Sequence, residues 1–444
     1  MLIAYLPNFL FVVVLSVAVA IFTRNIRQIL RNIQLGRPTD RSDQSKARWN
    51  NMFRIALGQS KMVKRPIAGL LHVVVYIGFI IINIELLEIV VDGILGTHRV
   101  FAPYLVGGVY PFLIASFEVL ALAVLATVIV FWLRRNVLRL QRFWSDEMKG
   151  WPKWDADLIL YFEVVLMGLF LTMNAADYAL QLRETPGYIQ AGSFPISQFL
   201  LPLFETTTTS KLIVFERVFW WAHIVGILGF LNYLYYSKHL HILLAFPNTF
   251  YANLNPKGQF KNNSTVTQEV QLMLDPNADP YAAPPPAADE RFGAADVTDL
   301  SWVQLLNAYT CTECGRCTSE CPANQTGKKL SPRKIMMDTR DRITEIGPVL
   351  QKQGEKFAGD GKQLLGDYIT AEELWACTSC NACVEACPVD IDPLSIIMDM
   401  RQYLVMEESA APTELNAMMS NIENNGAPWP FNNQDRLEWA KTTN

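Results

Sequence analysis

The chain has 444 residues, 51% of them hydrophobic and 18% charged, with a formal net charge of -4. That length allows two or three domains, and the mild acidity, with no basic stripe, argues against a nucleic-acid ligand. The average conceals a split, because the first 245 residues are apolar and the remainder polar.

Five apolar stretches are long enough to cross a hydrocarbon core of about 30 Å. They lie near residues 3–23, 67–91, 108–133, 156–180 and 213–236. Positive charges follow the first stretch rather than precede it, so it reads as a retained anchor and not as a secretory signal. Eleven Lys/Arg separate the first two stretches, among them Arg24, Arg27, Arg31, Lys61, Lys64 and Arg65. Six more, starting at Arg134 and Arg135, separate the third and fourth, whereas loops 92–107 and 181–212 carry one and two. The positive-inside rule then places the N-terminus outside and the C-terminus in the cytoplasm. Residues 1–245 are the expected five-span membrane domain. Residues 246–299 read as an extended linker rich in Pro and Ala, centred on Pro284-Pro285-Pro286, a composition that favours polyproline II over a packed core. Helical periodicity returns at Leu300–Tyr309 and opens a domain over 300–408; residues 409–444 form a polar, loosely ordered tail.

All eight cysteines fall in that domain. Cys311, Cys314, Cys317 and Cys321 read C-x2-C-x2-C-x3-C followed by Pro322, and Cys377, Cys380, Cys383 and Cys387 repeat the run, followed by Pro388. This is the spacing of iron–sulfur ligation. Zinc sites use paired C-x2-C with longer spacers or histidine partners, and disulfide frameworks belong to small secreted chains. Two [4Fe–4S] clusters are expected. In two-cluster ferredoxins the fourth cysteine of each run ligates the other cluster. The sets are therefore Cys311, Cys314, Cys317 with Cys387, and Cys377, Cys380, Cys383 with Cys321. Clusters require a reducing compartment, which agrees with the orientation read from loop charge. Each run precedes a proline-led amphipathic helix, at Pro332 and at Pro393, whose methionines are expected to pack on the clusters.

The five histidines are His72, His98, His223, His239 and His241. Ionisable groups in spans point to function by default, and histidine is the common haem ligand. His72 at the start of the second span and His239 or His241 past the end of the fifth share a depth, so a bis-histidine haem b can join them. If the helix continues, His239 and His241 point in nearly opposite directions. His223 and His241, eighteen residues apart, would then share one face about 27 Å apart. His241 is the preferred partner of His72, leaving His239 for a haem propionate or a quinone. A second haem would pair His223 with His98, provided the short outer loop folds back. Glu85, Glu88, Glu118, Glu163 and Glu216 lie inside spans. Glu85, Glu88 and Glu216 are candidates for a quinone or proton site; the alternative is ion pairing, for example with Arg217.

Five spans, an outside N-terminus and histidines eighteen residues apart resemble the cytochrome b (gamma) subunit of respiratory nitrate reductase. That pattern has two histidines ten residues apart on the second span; here the position ten beyond His72 is Ile82. Asp299-Leu300-Ser301-Trp302-Val303-Gln304-Leu305-Leu306, Cys311-Thr312-Glu313-Cys314-Gly315-Arg316-Cys317, Leu330-Ser331-Pro332-Arg333 and Trp375-Ala376-Cys377 resemble the heterodisulfide-reductase-like membrane iron–sulfur oxidoreductases. That group includes electron-transfer-flavoprotein:menaquinone oxidoreductases. The resemblance implies an all-α fold, a five-helix cytochrome b-like transmembrane bundle followed by a helical dicluster ferredoxin domain. It implies a quinone-linked electron-transfer subunit in a bacterial cytoplasmic membrane. Many relatives carry cysteine-rich CCG domains; this chain has no Cys-Cys-Gly. The implied partner is thus a separate cytoplasmic redox subunit, a CCG-domain iron–sulfur protein or a flavoprotein. The rival expectation is a membrane-anchored ferredoxin with no haem or quinone chemistry; a redox sensor would need an output domain that the sequence does not offer. Metal analysis of the purified chain is expected to return about eight irons and no zinc; zinc in place of iron would refute the cluster assignment.

Overall fold

The computed structural model describes residues 5–277 and 291–441. Several of the helices start or stop where the sequence supplies a proline or glycine. α1 (Leu6–Gln34) runs until Gly36 and is followed by the short α2 (Ser45–Met52). α3 (Pro66–Leu95) opens with proline and stops at Gly96, whose φ of 75° only glycine adopts readily. α4 (Val109–Asn136) follows Gly108, α5 (Trp151–Leu182) carries Pro152 in its first turn, and α6 (Thr209–Tyr233) adds one 3-10 turn to Tyr236. These five long helices are apolar enough to cross a membrane. Each packs on the next in a closed ring, α1–α3–α4–α5–α6–α1, so α3 and α6 stand across from one another.

α1 outlasts the expected span. Arg24, Arg27 and Arg31 all lie on its extension, and Arg31 is in the last turn, where a cation suits a helix C-terminus. A second departure matters more. α6 does not continue to His241. Ser237 is extended (φ -113°, ψ 144°), a 3-10 turn spans Lys238–Leu240, and α7 (His241–Phe250) starts afresh. Asp155, in the first turns of α5, stabilises the break by accepting from the Tyr233 hydroxyl at 2.5 Å and the Lys238 N–H at 3.0 Å. The Ser237 hydroxyl accepts from the His239 N–H at 3.0 Å. Side chains thus satisfy backbone groups that the interrupted helix releases.

The expected linker holds α8 (Ser264–Leu274), while Pro284–Pro286 lies outside the described residues. From Ala294 the chain already belongs to a core: Ala294, Ala295, Val297 and Leu300 are buried. The cysteine region is built from α9 (Trp302–Thr310), α10 (Arg316–Ser319), α11 (Pro322–Gln325), α12 (Pro332–Gln353), α13 (Ala371–Trp375), α14 (Ala382–Ala386) and α15 (Pro393–Met406). Ser301–Gln304 and Thr370–Glu373 capping boxes start α9 and α13, and the Ser331 and Asp392 side chains cap α12 and α15 ahead of their prolines. The tail contains α16 (Thr413–Asn425) and α17 (Glu438–Lys441). Among the described residues the only β pairing is two isolated bridges, Arg37–Ser301 and Leu365–Ile369.

The two domains are welded rather than tethered. One hydrophobic core runs through Ile29 and Ile33 of α1, Leu240 and Leu244, and Leu305, Met336, Ile343 and Ile397 of the cysteine domain. Polar contacts lock the seam. Asn32 donates to the Tyr309 hydroxyl at 2.7 Å and accepts from Gln351 at 2.8 Å. Arg333, wholly buried, donates to the Arg142 carbonyl and to Glu147, both at 2.6 Å, in the loop between α4 and α5. Gly347 lets α12 approach α1, since a Cβ there would overlap the buried Asn32 amide. Gly347→Val is expected to lower stability by about 1–3 kcal/mol, the usual range for overpacking, read as a lower thermal midpoint in detergent. An unchanged midpoint would show that the two helices are not packed this closely.

Candidate redox site

The two cysteine runs adopt the same backbone. Glu313 and Ser379 are left-handed (φ 53° and 56°), as are Gly315 and Asn381 (φ 71° and 60°) at the matching positions of the next turn. At Gly315 a Cβ would also lie 2.6 Å from Arg333 Nη1, so glycine is required there. Asn381, with no such neighbour, tolerates a side chain in the same conformation. The loops thereby wrap two concave sites. Cys311, Cys314, Cys317 and Cys387 line the first, with Met336 and Ile391. Cys321, Cys377, Cys380 and Cys383 line the second, with Leu394 and Ile397. Cys383 borders both. Each cavity therefore gathers three cysteines of one run and the fourth of the other.

The chemistry of the walls suits anionic clusters. Backbone N–H groups of Ser379 and Ile391 point at Cys377 and Cys387 Sγ, at 3.4 and 3.3 Å. Burial pushes the free thiols up, Cys311 to about 11 and Cys387 to about 12, so loading a metal must expel their protons. The two sites differ in cover. Arg316 is buried and reaches across the seam to the Lys61 and Met62 carbonyls at 3.2–3.3 Å, and Arg142 stands near Cys314. Cys380, in the second site, is exposed.

Three histidines gather beneath the first site. His239 and His241 rings are 5.4 Å apart and perpendicular, not on opposite faces, because the helix breaks at Ser237. Burial, then His241 and His72, push the His239 ring down to about 3. His72 is within electrostatic reach of both His241 and Arg316. His241 Nδ1 donates to the Lys238 carbonyl at 3.1 Å, the orienting bond that leaves Nε2 for a metal. His72 Nδ1 is buried with no partner. Between the histidines and the cysteines, Lys238 is salt-bridged to Glu313 and donates to the Pro152 carbonyl at 2.6 Å. Burial raises the Glu313 carboxyl, but Lys238 and Arg340 outweigh it and hold it below the usual range.

The expected pairing of His98 with His223 is not formed. His98 Nε2 lies 3.1 Å from Asp177, and its ring stacks edge-on with Tyr188. Tyr188 in turn reaches Glu216, two turns or about 10 Å along α6 from His223. His223 sits at the middle of α6 against Phe170, with Nδ1 unpartnered. The reason is Arg99, beside His98: buried, it donates to Asp177 at 2.7 Å and Asn174 at 3.2 Å and holds the loop to α5.

The intramembrane carboxylates divide cleanly. Glu88 accepts from the Phe101 N–H and the Tyr110 hydroxyl, both at 2.8 Å. Glu118 accepts from the Ile196 and Ser197 N–H groups at 2.9 and 3.1 Å. Glu216 is paired with Arg217. These three anchor loops and neighbours, so Glu88 and Glu216 are explained without a ligand. The other two are different: Glu163 makes no hydrogen bond or ion pair, and for Glu85 Oε1 has only Arg99 at 3.8 Å while Oε2 is buried with no partner. Sequence reasoning missed Arg99, Lys238, Glu313 and Arg316. The one available signal was position, each lying next to a histidine or inside a cysteine run.

Residues 310–391 match the 4Fe-4S dicluster domain family. The chain is 28% identical over 458 residues to the probable iron–sulfur-binding oxidoreductase FadF of Bacillus subtilis, covering 97% of this chain and 60% of that protein. It is 24% identical over 420 residues to the EtfAB:quinone oxidoreductase of Syntrophomonas wolfei, covering 90% and 54%. A probable membrane-anchored ferredoxin of Chromohalobacter salexigens is 35% identical over 165 residues, 34% of this chain and 25% of the relative. No solved structure matches. The chain thus spans little more than half the length of the two relatives that match it throughout, and it is a helical membrane-type protein carrying a 4Fe-4S dicluster domain.

Proposed function

We propose that the chain is the electron-transfer subunit of a membrane quinone oxidoreductase, passing electrons between a cytoplasmic redox partner and a quinone. The observation that carries this reading is the rigid seam between the cysteine cavities and the histidines at the near end of the bundle. A ferredoxin that merely needed an anchor would need one span and no weld. The relatives that match over nearly the whole chain are named oxidoreductases, one of them a quinone oxidoreductase, whereas the membrane-anchored ferredoxin matches a third of it.

The residues assigned to the clusters are Cys311, Cys314, Cys317 and Cys387 for the first, and Cys377, Cys380, Cys383 and Cys321 for the second. His72 and His241 are assigned to one haem b. These groups, when bound, supply one-electron carriers. The chain's own contribution is spacing, exclusion of water and charge. Buried cysteines and the Arg316 and Arg142 cations surround the first cluster site; the Lys238 carbonyl orients the His241 ring. Quinone reduction consumes two electrons and two protons per molecule, and Glu85, with its unpartnered oxygen, is a carboxylate free to exchange one of those protons. The reading places the protein in a bacterial cytoplasmic membrane, cysteine domain in the cytoplasm, with an iron–sulfur or flavin subunit docked near Cys380.

Redox difference spectra of the purified chain test it. Wild type is expected to show a b-type haem, lost in His72→Leu and in His241→Leu, whose side chains cannot ligate iron, and kept in His239→Gln. Absence of a haem signal in wild type removes the haem. An intact spectrum in both His72 and His241 variants overturns the ligand choice.

A further inference from the structure

The proposed relay leaves open how one centre is held against the other, and a single residue stands between them. Lys238 follows the break after α6. Its backbone carbonyl accepts the His241 Nδ1–H at 3.1 Å, and its N–H is fixed by Asp155 at 3.0 Å. Its ammonium, buried at the seam, is salt-bridged to Glu313 and capped by the Pro152 carbonyl at 2.6 Å. Glu313 lies between Cys311 and Cys314, is itself buried, and takes a second cation, Arg340, at 2.7 Å. The same residue therefore orients the imidazole on one side and grips the cysteine loop on the other. A buried ion pair of this kind is poor stabilisation, because desolvation consumes most of the Coulomb gain; its value lies in register and local field.

We propose that Lys238 is a positioning residue that joins the haem-bearing segment to the first cluster loop, with its bridge to Glu313 setting both the field at that cluster and the coupling between the two centres. This rests on the cluster and haem assignments above. Glu313 places a negative charge beside the cluster, and Lys238 offsets it. Removing the cation must favour the oxidised cluster; removing the anion must favour the reduced one. A purely structural role predicts no such opposition of sign.

The test uses the full chain, loaded with iron and haem, in lipid nanodiscs. Redox titrations followed by electron paramagnetic resonance give the cluster potentials, and stopped-flow absorbance gives the rate of haem reduction by dithionite through the clusters. Lys238→Met is expected to move the first cluster's reduction equilibrium about tenfold toward oxidised, about 59 mV for one electron. Glu313→Gln, nearly isosteric and so the safer variant to fold, should move it about tenfold the other way. The double variant should return to within threefold of wild type. Haem reduction should slow at least tenfold in Lys238→Met even though the lowered cluster potential increases the driving force. Shifts of equal sign in the two single variants, shifts under twofold, or haem reduction in Lys238→Met as fast as wild type would each overturn the proposal. A wild type that binds iron yet shows no haem overturns the relay itself, a result distinct from a loaded wild type whose variants behave alike.

Discussion

The seam between the helical bundle and the cysteine domain depends on buried cations that reach across it. Arg333 enters the loop between α4 and α5, Arg316 grips the turn that leads into α3, and Lys238 reaches back from the end of α6. Each would be costly to bury alone. Each is tolerated because carbonyls and carboxylates of the opposite domain complete its shell. Such contacts are directional in a way that apolar area is not. They fix the rotation and height of the cysteine domain on the bundle, while the continuous core through Ile33, Leu240 and Ile397 supplies the bulk of the adhesion. Electron transfer between separate centres asks for such fixity.

Much of this architecture was legible in the sequence. The five apolar runs, the proline-led helices at Pro332 and Pro393, and the doubled cysteine spacing each follow from a short-range rule of hydropathy, capping or ligand geometry. The gathering of His72 with His239 and His241 also followed, from depth alone. What failed was the assumption that one helix passes through Ser237. No proline or glycine marks that break; Asp155, 83 positions before Lys238 in sequence, accepts the Lys238 N–H that a continuous helix would have used, together with the Tyr233 hydroxyl. The second histidine pair failed for a similar reason. His98 looked free in a short loop, but Arg99 and Asp177 claim the neighbourhood, and nothing local in the sequence shows that a buried arginine will turn toward a distant helix.

The carboxylates of the far half of the bundle show how function and structure can be separated among chemically alike groups. Glu88, Glu118, Asp92 and Asp177 each close backbone or side-chain donors of the connecting loops. In a medium without water those loops would otherwise leave polar groups unsatisfied. The acids are therefore part of how the loops fold against the bundle. Glu85 and Glu163 close no such donor.

The two halves of the duplicated cysteine region share a backbone but not an environment. One is roofed by arginines and membrane-side loops; the other keeps Cys380 at the surface. Solvent and nearby charge are among the levers that set the affinity of such centres for electrons. Two copies of one motif would then be unequal in their affinity for electrons, a duplication in sequence that burial has made asymmetric.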